Sequence, residues 1–92
     1  MIPEGLTKID ASRFDLSKRL SLYEDKNGNL IFYINRKSRF IMKDTKQFLE
    51  RAETIKSFTG TSPELWIDSP ICSKSIQALH EANILLKQNI LQ

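Results

Sequence analysis

Apolar and polar residues alternate through residues 19–43, and this alternation predicts three antiparallel β-strands joined by two short loops. The first loop contains Asn27-Gly28, the strongest short-range hairpin signal that a sequence offers. The second loop, over residues 36–38, has no glycine, so its turn type stays open. The pattern therefore predicts a three-stranded antiparallel meander in the first half of the chain.

Two registers compete at the first loop. A two-residue type I′ loop would pair Tyr23 with Phe32 and scatter apolar side chains over both faces of the sheet. A three-residue loop over 26–28 would place Gly28 in the left-handed position of a bulge and pair Leu22 with Phe32. Because a one-residue slip moves a strand's whole apolar set to the other face, burial favours the second register.

The favoured register sorts the meander into two faces. The inner face is apolar and comprises Leu20, Leu22, Phe32, Ile34, Phe40 and Met42. The outer face comprises Arg19, Ser21, Tyr23, Ile31, Tyr33, Asn35, Arg39, Ile41 and Lys43. Tyrosines, isoleucines and cations together are unusual on a solvated surface, so we expect another segment to cover this face or a partner to bind it.

The second half of the chain predicts two helices and a short strand. Asp44 and Gln47 have capping-box spacing, an apolar stripe follows at helical period, and Gly60 ends the pattern, which indicates a helix over 45–58. Residues 64–68 form a strand candidate. Ser69-Pro70 then indicates the start of a second helix over 70–82.

The two ends of the chain are ambiguous. Asp10 could cap a helical turn over 11–16, although an extended segment fits nearly as well. At the other end, Asn83 could end the second helix before a strand over 84–87, or the helix could continue to about residue 90 with a coiled-coil-like seam.

These elements predict one α+β domain over residues 1–92, with the order β-β-β-α-β-α and two layers, a sheet and its helices. The expected core is Leu20, Leu22, Phe32, Ile34, Phe40, Met42, Phe48, Ala52, Ile55, Trp66, Ile76 and Leu79.

Composition excludes several classes of function. One cysteine and one histidine can form neither an intramolecular disulfide nor a Cys/His zinc cluster. The longest apolar run, over 30–34, is far shorter than the roughly 20 residues of a membrane helix. No basic-then-apolar export signal stands at the start. We therefore expect a cytoplasmic protein without metal, cofactor or membrane partner.

Cys72 is the strongest candidate for covalent chemistry. The order strand, Pro70, Cys72, helix resembles the redox loop of thioredoxin-like proteins over a short stretch, but residue 75 is serine, so the Cys-x-x-Cys pair is absent. A small buried residue is the simpler interpretation. His80 has no second ligand or acid at useful spacing. Since no nucleophile–base–acid set can be assembled, we expect the chain not to be an enzyme.

Positive charge is concentrated on the meander. The net charge is +3, and residues 18–46 hold eight basic residues against three acidic ones. A sheet that pairs cations with aromatic rings is typical of single-stranded nucleic-acid sites. The predicted nucleic-acid site is Arg19, Tyr23, Tyr33, Arg36, Lys37, Arg39 and Lys43.

Element order supports the same hypothesis, and a second hypothesis remains. Three strands followed by a helix resemble the arm-type DNA-binding domains of tyrosine recombinases, which implies DNA as the partner. The alternative is a homodimeric or adaptor-type domain whose partner is another protein and which uses the outer sheet face, or the seam from Cys72 to Ile90, for association. A covering segment would leave the cations as solubilising charges.

Overall fold

A five-stranded mixed sheet carries both α-helices on one of its faces. The computed structural model describes residues 4–17 and 20–90. Its elements are β1 (Thr7–Lys8), a 3-10 helix (Ala11–Phe14), β2 (Leu22–Glu24), β3 (Leu30–Asn35), α1 (Met42–Thr59), β4 (Glu64–Asp68), α2 (Ser73–Glu81) and β5 (Leu86–Gln88).

The strands lie in the order β1-β2-β3-β4-β5. β1, β2 and β3 are antiparallel, whereas β3, β4 and β5 are parallel. Each parallel pair needs a long crossover, which α1 and α2 provide. The α+β class is thus confirmed, with a mixed sheet in place of a separate meander.

The first hairpin has the predicted three-residue loop. Leu22 pairs with Phe32, and the N–H of Asp25 donates to the carbonyl of Asn29 at 3.0 Å. Gly28 takes the left-handed conformation with φ 85°. The Asp25 carboxylate accepts from the backbone N–H of Asn29 and also of Asn27, and these hydrogen bonds lower the pKa of Asp25. The register that burial favoured, with Leu22 opposite Phe32, is confirmed.

The predicted third strand over residues 39–43 is wrong. Phe40 makes only a single parallel bridge, to Ile71, and α1 already begins at Met42. The Asp44 carboxylate accepts from the N–H of Ile41 at 2.9 Å and so closes the helix start earlier than expected. The place beside β3 is taken by β4, which pairs with five consecutive residues of β3.

The main core lies between the sheet and the helices. Seven of the expected residues are buried in it: Leu22, Phe32, Phe40, Phe48, Ala52, Ile55 and Leu79. Leu20 and Ile34 pack against it half-buried, and Met42 is also half-buried.

Two core assignments are wrong. Leu65 and Ile67 of β4 enter the main core, so the residue between them, Trp66, lies on the opposite face of the sheet and is half-buried. Ile76 is 38% exposed, because α2 is held to the core by Ser75 and Leu79 instead.

The second sheet face has its own small core, formed by Leu6, Tyr23, Ile31 and Tyr33. Trp66 and Ile90 pack against it. The segments before β1 and after β5 therefore cover this face of the sheet.

The ambiguous ends are resolved as follows. The Asp10 carboxylate caps the 3-10 helix by accepting from the N–H of Ser12. Asn83 takes the left-handed conformation with φ 61° after α2, and β5 follows, so the alternative of a helix to residue 90 is wrong. Among the helices described, none is long and apolar enough to cross a bilayer.

Candidate nucleic-acid interface

β3 and β4 are parallel and end on the same side of the molecule, and both helices begin there. The N–H of Phe40 donates to the carbonyl of Pro70 at 2.7 Å, and the N–H of Cys72 donates to the carbonyl of Phe40 at 3.1 Å. Ser75 Oγ lies 3.8 Å from Met42 Sδ. The N-termini of α1 and α2 are therefore neighbours.

Cations surround this pair of helix N-termini. We call basic edge the set Arg36, Lys37, Arg39, Lys43, Lys46 and Lys74. All except Arg36 are exposed. The positive ends of the helix dipoles add to their field. Within residues 36–46 the sole carboxylate is that of Asp44, so this segment carries an excess of positive charge.

Arg36 is engaged inside its own loop. One guanidinium nitrogen donates to Asp44 Oδ2 at 2.8 Å and to the carbonyl of Arg39 at 3.3 Å. The guanidinium also lies 5.6 Å from the ring centre of Phe40. Arg36 thus has structural contacts that sequence reasoning missed, while its predicted contact with phosphate stays a prediction.

Tyr23 and Tyr33 are not the exposed stacking platform of the predicted site, because another segment covers the outer face, which was the alternative. Tyr23 is 8% exposed and Tyr33 is 4% exposed. Their rings pack edge to face at 6.5 Å, and Lys8 Nζ lies 5.2 Å from the Tyr23 ring centre. The expectation failed because Leu6 packs over this face. Buried rings cannot stack on bases.

The remaining site residues divide in two groups. Lys37, Arg39 and Lys43 are exposed on the basic edge, so Arg39 and Lys43 lie away from the sheet face on which the predicted third strand placed them. Arg19 lies outside the described residues. Lys46 and Lys74 join the edge although the sequence analysis did not select them. Lys74 could not be placed there from local pattern, since the Phe40–Ile71 bridge that brings it close is long-range.

A groove of about 840 Å³ opens at the same edge. It is lined by Asn35, Arg36, Lys37, Asp68, Ser69, Pro70, Ile71, Ile76, Gln88 and Asn89. Asp68 is its buried acid, and its carboxylate accepts from the Tyr33 hydroxyl at 2.6 Å and from the N–H of Ile90 at 2.7 Å. Sequence reasoning missed Asp68, although an acid at the last position of a buried strand was a usable signal.

Cys72 is half-buried just before α2. Its Sγ lies 3.0 Å from Ser75 Oγ, and this contact is the main cause that lowers the pKa of the thiol. Ser75 occupies the position at which a Cys-x-x-Cys pair would have its second cysteine.

His80 is exposed. In the described part of the chain, no three His, Cys, Asp or Glu side chains are grouped so as to hold a metal ion.

Acidic residues lie at the opposite end of these strands, where β3 and β4 begin. Glu4, Asp25 and Glu64 line a second pocket there, together with Trp66 and two lysines, Lys26 and Lys87. Trp66 donates to Glu64 at 2.9 Å, and Lys87 Nζ lies 4.6 Å from the Trp66 ring centre. The molecule therefore has the basic edge at one end of these strands and several acids at the other.

Neither a protein-family model nor a curated protein sequence matches this chain. Solved structures share its fold at low sequence identity. EndoMS in its apo form has a TM-score of 0.67 and 15% identity, over 95% of this chain and 38% of that one. An EndoMS–dsDNA2 complex has a TM-score of 0.62 and 15% identity, over 75% of this chain and 30% of that one.

A repair endonuclease from Pyrococcus abyssi has a TM-score of 0.62 and 12% identity, over 75% of this chain and 31% of that one. The chain thus spans about a third of the length of these proteins. Their likeness shows the fold. It also contradicts the expectation that the chain is not an enzyme, because a repair endonuclease is an enzyme.

Proposed function

We propose that this chain is a DNA-binding domain that contacts the phosphate backbone through the basic edge. The observation that carries this proposal is the cluster of exposed cations around two adjacent helix N-termini. Lysine, arginine and helix N-termini are the groups that proteins use to hold phosphates. A fold shared with a structure that contains double-stranded DNA supports the same partner.

Duplex DNA is the favoured form of the ligand. Binding of single strands uses exposed aromatic rings on which bases stack. Both tyrosines are buried, and within residues 4–17 and 20–90 the exposed large apolar side chains are Ile41, Phe58, Ile76 and Leu85. Phe58, the one aromatic among them, lies at the far end of α1. The basic edge therefore offers contacts to phosphates without stacking.

The charge distribution also orients the ligand. Three acidic side chains and two lysines line the pocket at the opposite end, so a polyanion is attracted more strongly to the basic edge.

A salt series on a short labelled duplex tests the proposal. Fluorescence anisotropy should show binding at low ionic strength that weakens steeply as salt rises. A plot of log association constant against log salt concentration should fall with a slope of about 0.9 for each phosphate contact. Lys37→Glu with Arg39→Glu should reduce the affinity at least tenfold, an estimate of about 1.4 kcal/mol in total. Lys26→Glu with Lys56→Glu makes the same change in net charge away from the basic edge and should have a much smaller effect. Equal loss in both double variants would contradict the proposed location.

Two further proposals can be tested on the same samples. One structural neighbour is a repair endonuclease, so incubation of the duplex with Mg²⁺ and gel analysis of the strands tests for cleavage. A homodimer is the other proposal, since β5 is an edge strand and the adjoining Leu85 is 51% exposed. Sedimentation at micromolar concentration tests it.

A further inference from the structure

The loop that carries Lys37 and Arg39 is tied to helix α1 by one carboxylate oxygen. Asp44 Oδ2 accepts from the N–H of Ile41 at 2.9 Å and from the guanidinium of Arg36 at 2.8 Å. The same oxygen therefore closes the start of α1 and holds the beginning of the loop.

The other end of the loop is held by the same guanidinium. Its nitrogen also donates to the carbonyl of Arg39 at 3.3 Å, so Arg36 spans the loop from its first residue to its last. Beneath it lies Phe40, which is 1% exposed and whose ring centre is 5.6 Å from the guanidinium. Arg36 and Asp44 are themselves only partly exposed, at 37% and 25% of their side-chain area.

This arrangement places a negative charge within the basic edge. By charge alone, Asp44 should weaken the binding of a polyanion. By its contacts, however, it restricts the loop to one arrangement, and ordering a loop before binding removes that entropy cost from the binding step.

We propose that Asp44 strengthens DNA binding, because through Arg36 it holds the loop over residues 36–39 in the arrangement that presents Lys37 and Arg39 to the phosphates. Asp44 and Arg36 are thus positioning residues, and this inference rests on the proposed function. Loop order outweighs the local repulsion between Asp44 and the phosphates.

Neutralising Asp44 separates the two effects because they have opposite signs. We expect Asp44→Asn to bind the duplex about threefold to tenfold more weakly, which corresponds to about 0.7–1.4 kcal/mol. The amide oxygen of Asn can still accept from Ile41, so the helix start is preserved, whereas its hydrogen bond with Arg36 loses the negative charge that strengthened it. Glu53→Gln removes the same charge from an exposed site on α1 and should leave the affinity unchanged or slightly increased.

Arg36→Lys provides a second measurement that does not alter net charge. A lysine side chain is shorter and lacks the planar guanidinium that lies 5.6 Å from the Phe40 ring centre, so this variant should also bind more weakly, whereas a purely electrostatic role for Arg36 leaves the affinity unchanged. Both variants are measured below their melting temperatures, so that loss of binding is not loss of fold. If Asp44→Asn melts too early, Arg36→Lys decides.

The outcomes distinguish the two proposals. If the unmodified chain binds no duplex at low salt, the proposed function is overturned, and this inference with it. If it binds, but Asp44→Asn binds equally or more tightly and Arg36→Lys is unaffected, the positioning role alone is overturned.

Discussion

The hydroxyl of Tyr33 donates a 2.6 Å hydrogen bond to Oδ2 of Asp68 and thereby joins two neighbouring parallel strands. The other carboxylate oxygen accepts from the N–H of Ile90, beyond β5. One acid thus connects β3, β4 and the segment after β5. A buried carboxylate is tolerated when it has hydrogen-bond donors of this kind.

Removing the Tyr33 hydroxyl should destabilise the protein. Tyr33→Phe keeps the ring but takes a donor from a buried carboxylate, which costs about 1–3 kcal/mol. Urea unfolding measures the change. Tyr23→Phe is the control, because it removes a hydroxyl from the same cluster without affecting Asp68. Similar losses in both variants would contradict the special role of the Tyr33–Asp68 bond.

The same bond predicts how stability depends on alkaline pH. Burial, helped by Asp68, raises the pKa of Tyr33 to about 12. Because the folded-state pKa lies above the unfolded value of about 10, this contribution to stability is fully present below pH 10 and is lost as pH rises toward 12. The loss is at most about 2–3 kcal/mol, the limit set by 1.36 kcal/mol per pKa unit. Tyr33→Phe should lack this decline; if unfolding experiments show an unchanged decline in Tyr33→Phe, another group causes it.

The elements that were predicted correctly rest on local signals. The register of Leu22 with Phe32 follows from a short loop and a period of two. The helix over 45–58 was predicted from its apolar stripe and from Gly60, and α1 contains it entirely. Turn residues, helix caps and the spacing of apolar residues each involve positions only a few residues apart, so they can be recognised in the sequence.

The elements that were predicted wrongly depend on contacts between distant segments. Residues 39–43 have a strand-like pattern, but β4 takes their place beside β3 after an intervening helix. Tyr23 and Tyr33 have a plausible exposed pattern, but Leu6 and Ile90 cover them from opposite ends of the chain. The local pattern of apolar residues does not show which of two candidate strands pairs with β3. It also does not show which terminal segment covers a sheet face.

Replacing Gly28 should lower the free energy of unfolding because of its backbone conformation. Its φ is +85°, and a Cβ built there meets no atom within 4 Å, so strain and not a clash opposes a side chain. Gly28→Ala should destabilise by about 1–2 kcal/mol in urea unfolding. Gly28→Asn should cost less, because asparagine tolerates this conformation better. An equal loss in both variants would indicate a steric cause instead.

Phe40 and Met42 distinguish the observed structure from the predicted third strand. In that strand both would face the core equally, whereas Phe40 is 1% exposed and Met42 is only half-buried at the start of α1. Phe40→Ala should therefore cost about 3–5 kcal/mol and Met42→Ala clearly less. Thermal or urea unfolding gives both values. Equal costs would support the strand.

Cys72 should react as a thiolate at lower pH than an unfolded thiol. Ser75 lies 3.0 Å from its sulfur and lowers the pKa, so the folded protein favours the charged form. Initial rates of alkylation by iodoacetamide, measured against pH, should have a midpoint below the free value of about 8.5. Ser75→Ala should move the midpoint upward, and the urea-unfolded chain provides the reference. If the folded and unfolded midpoints coincide, the hydroxyl does not stabilise the thiolate.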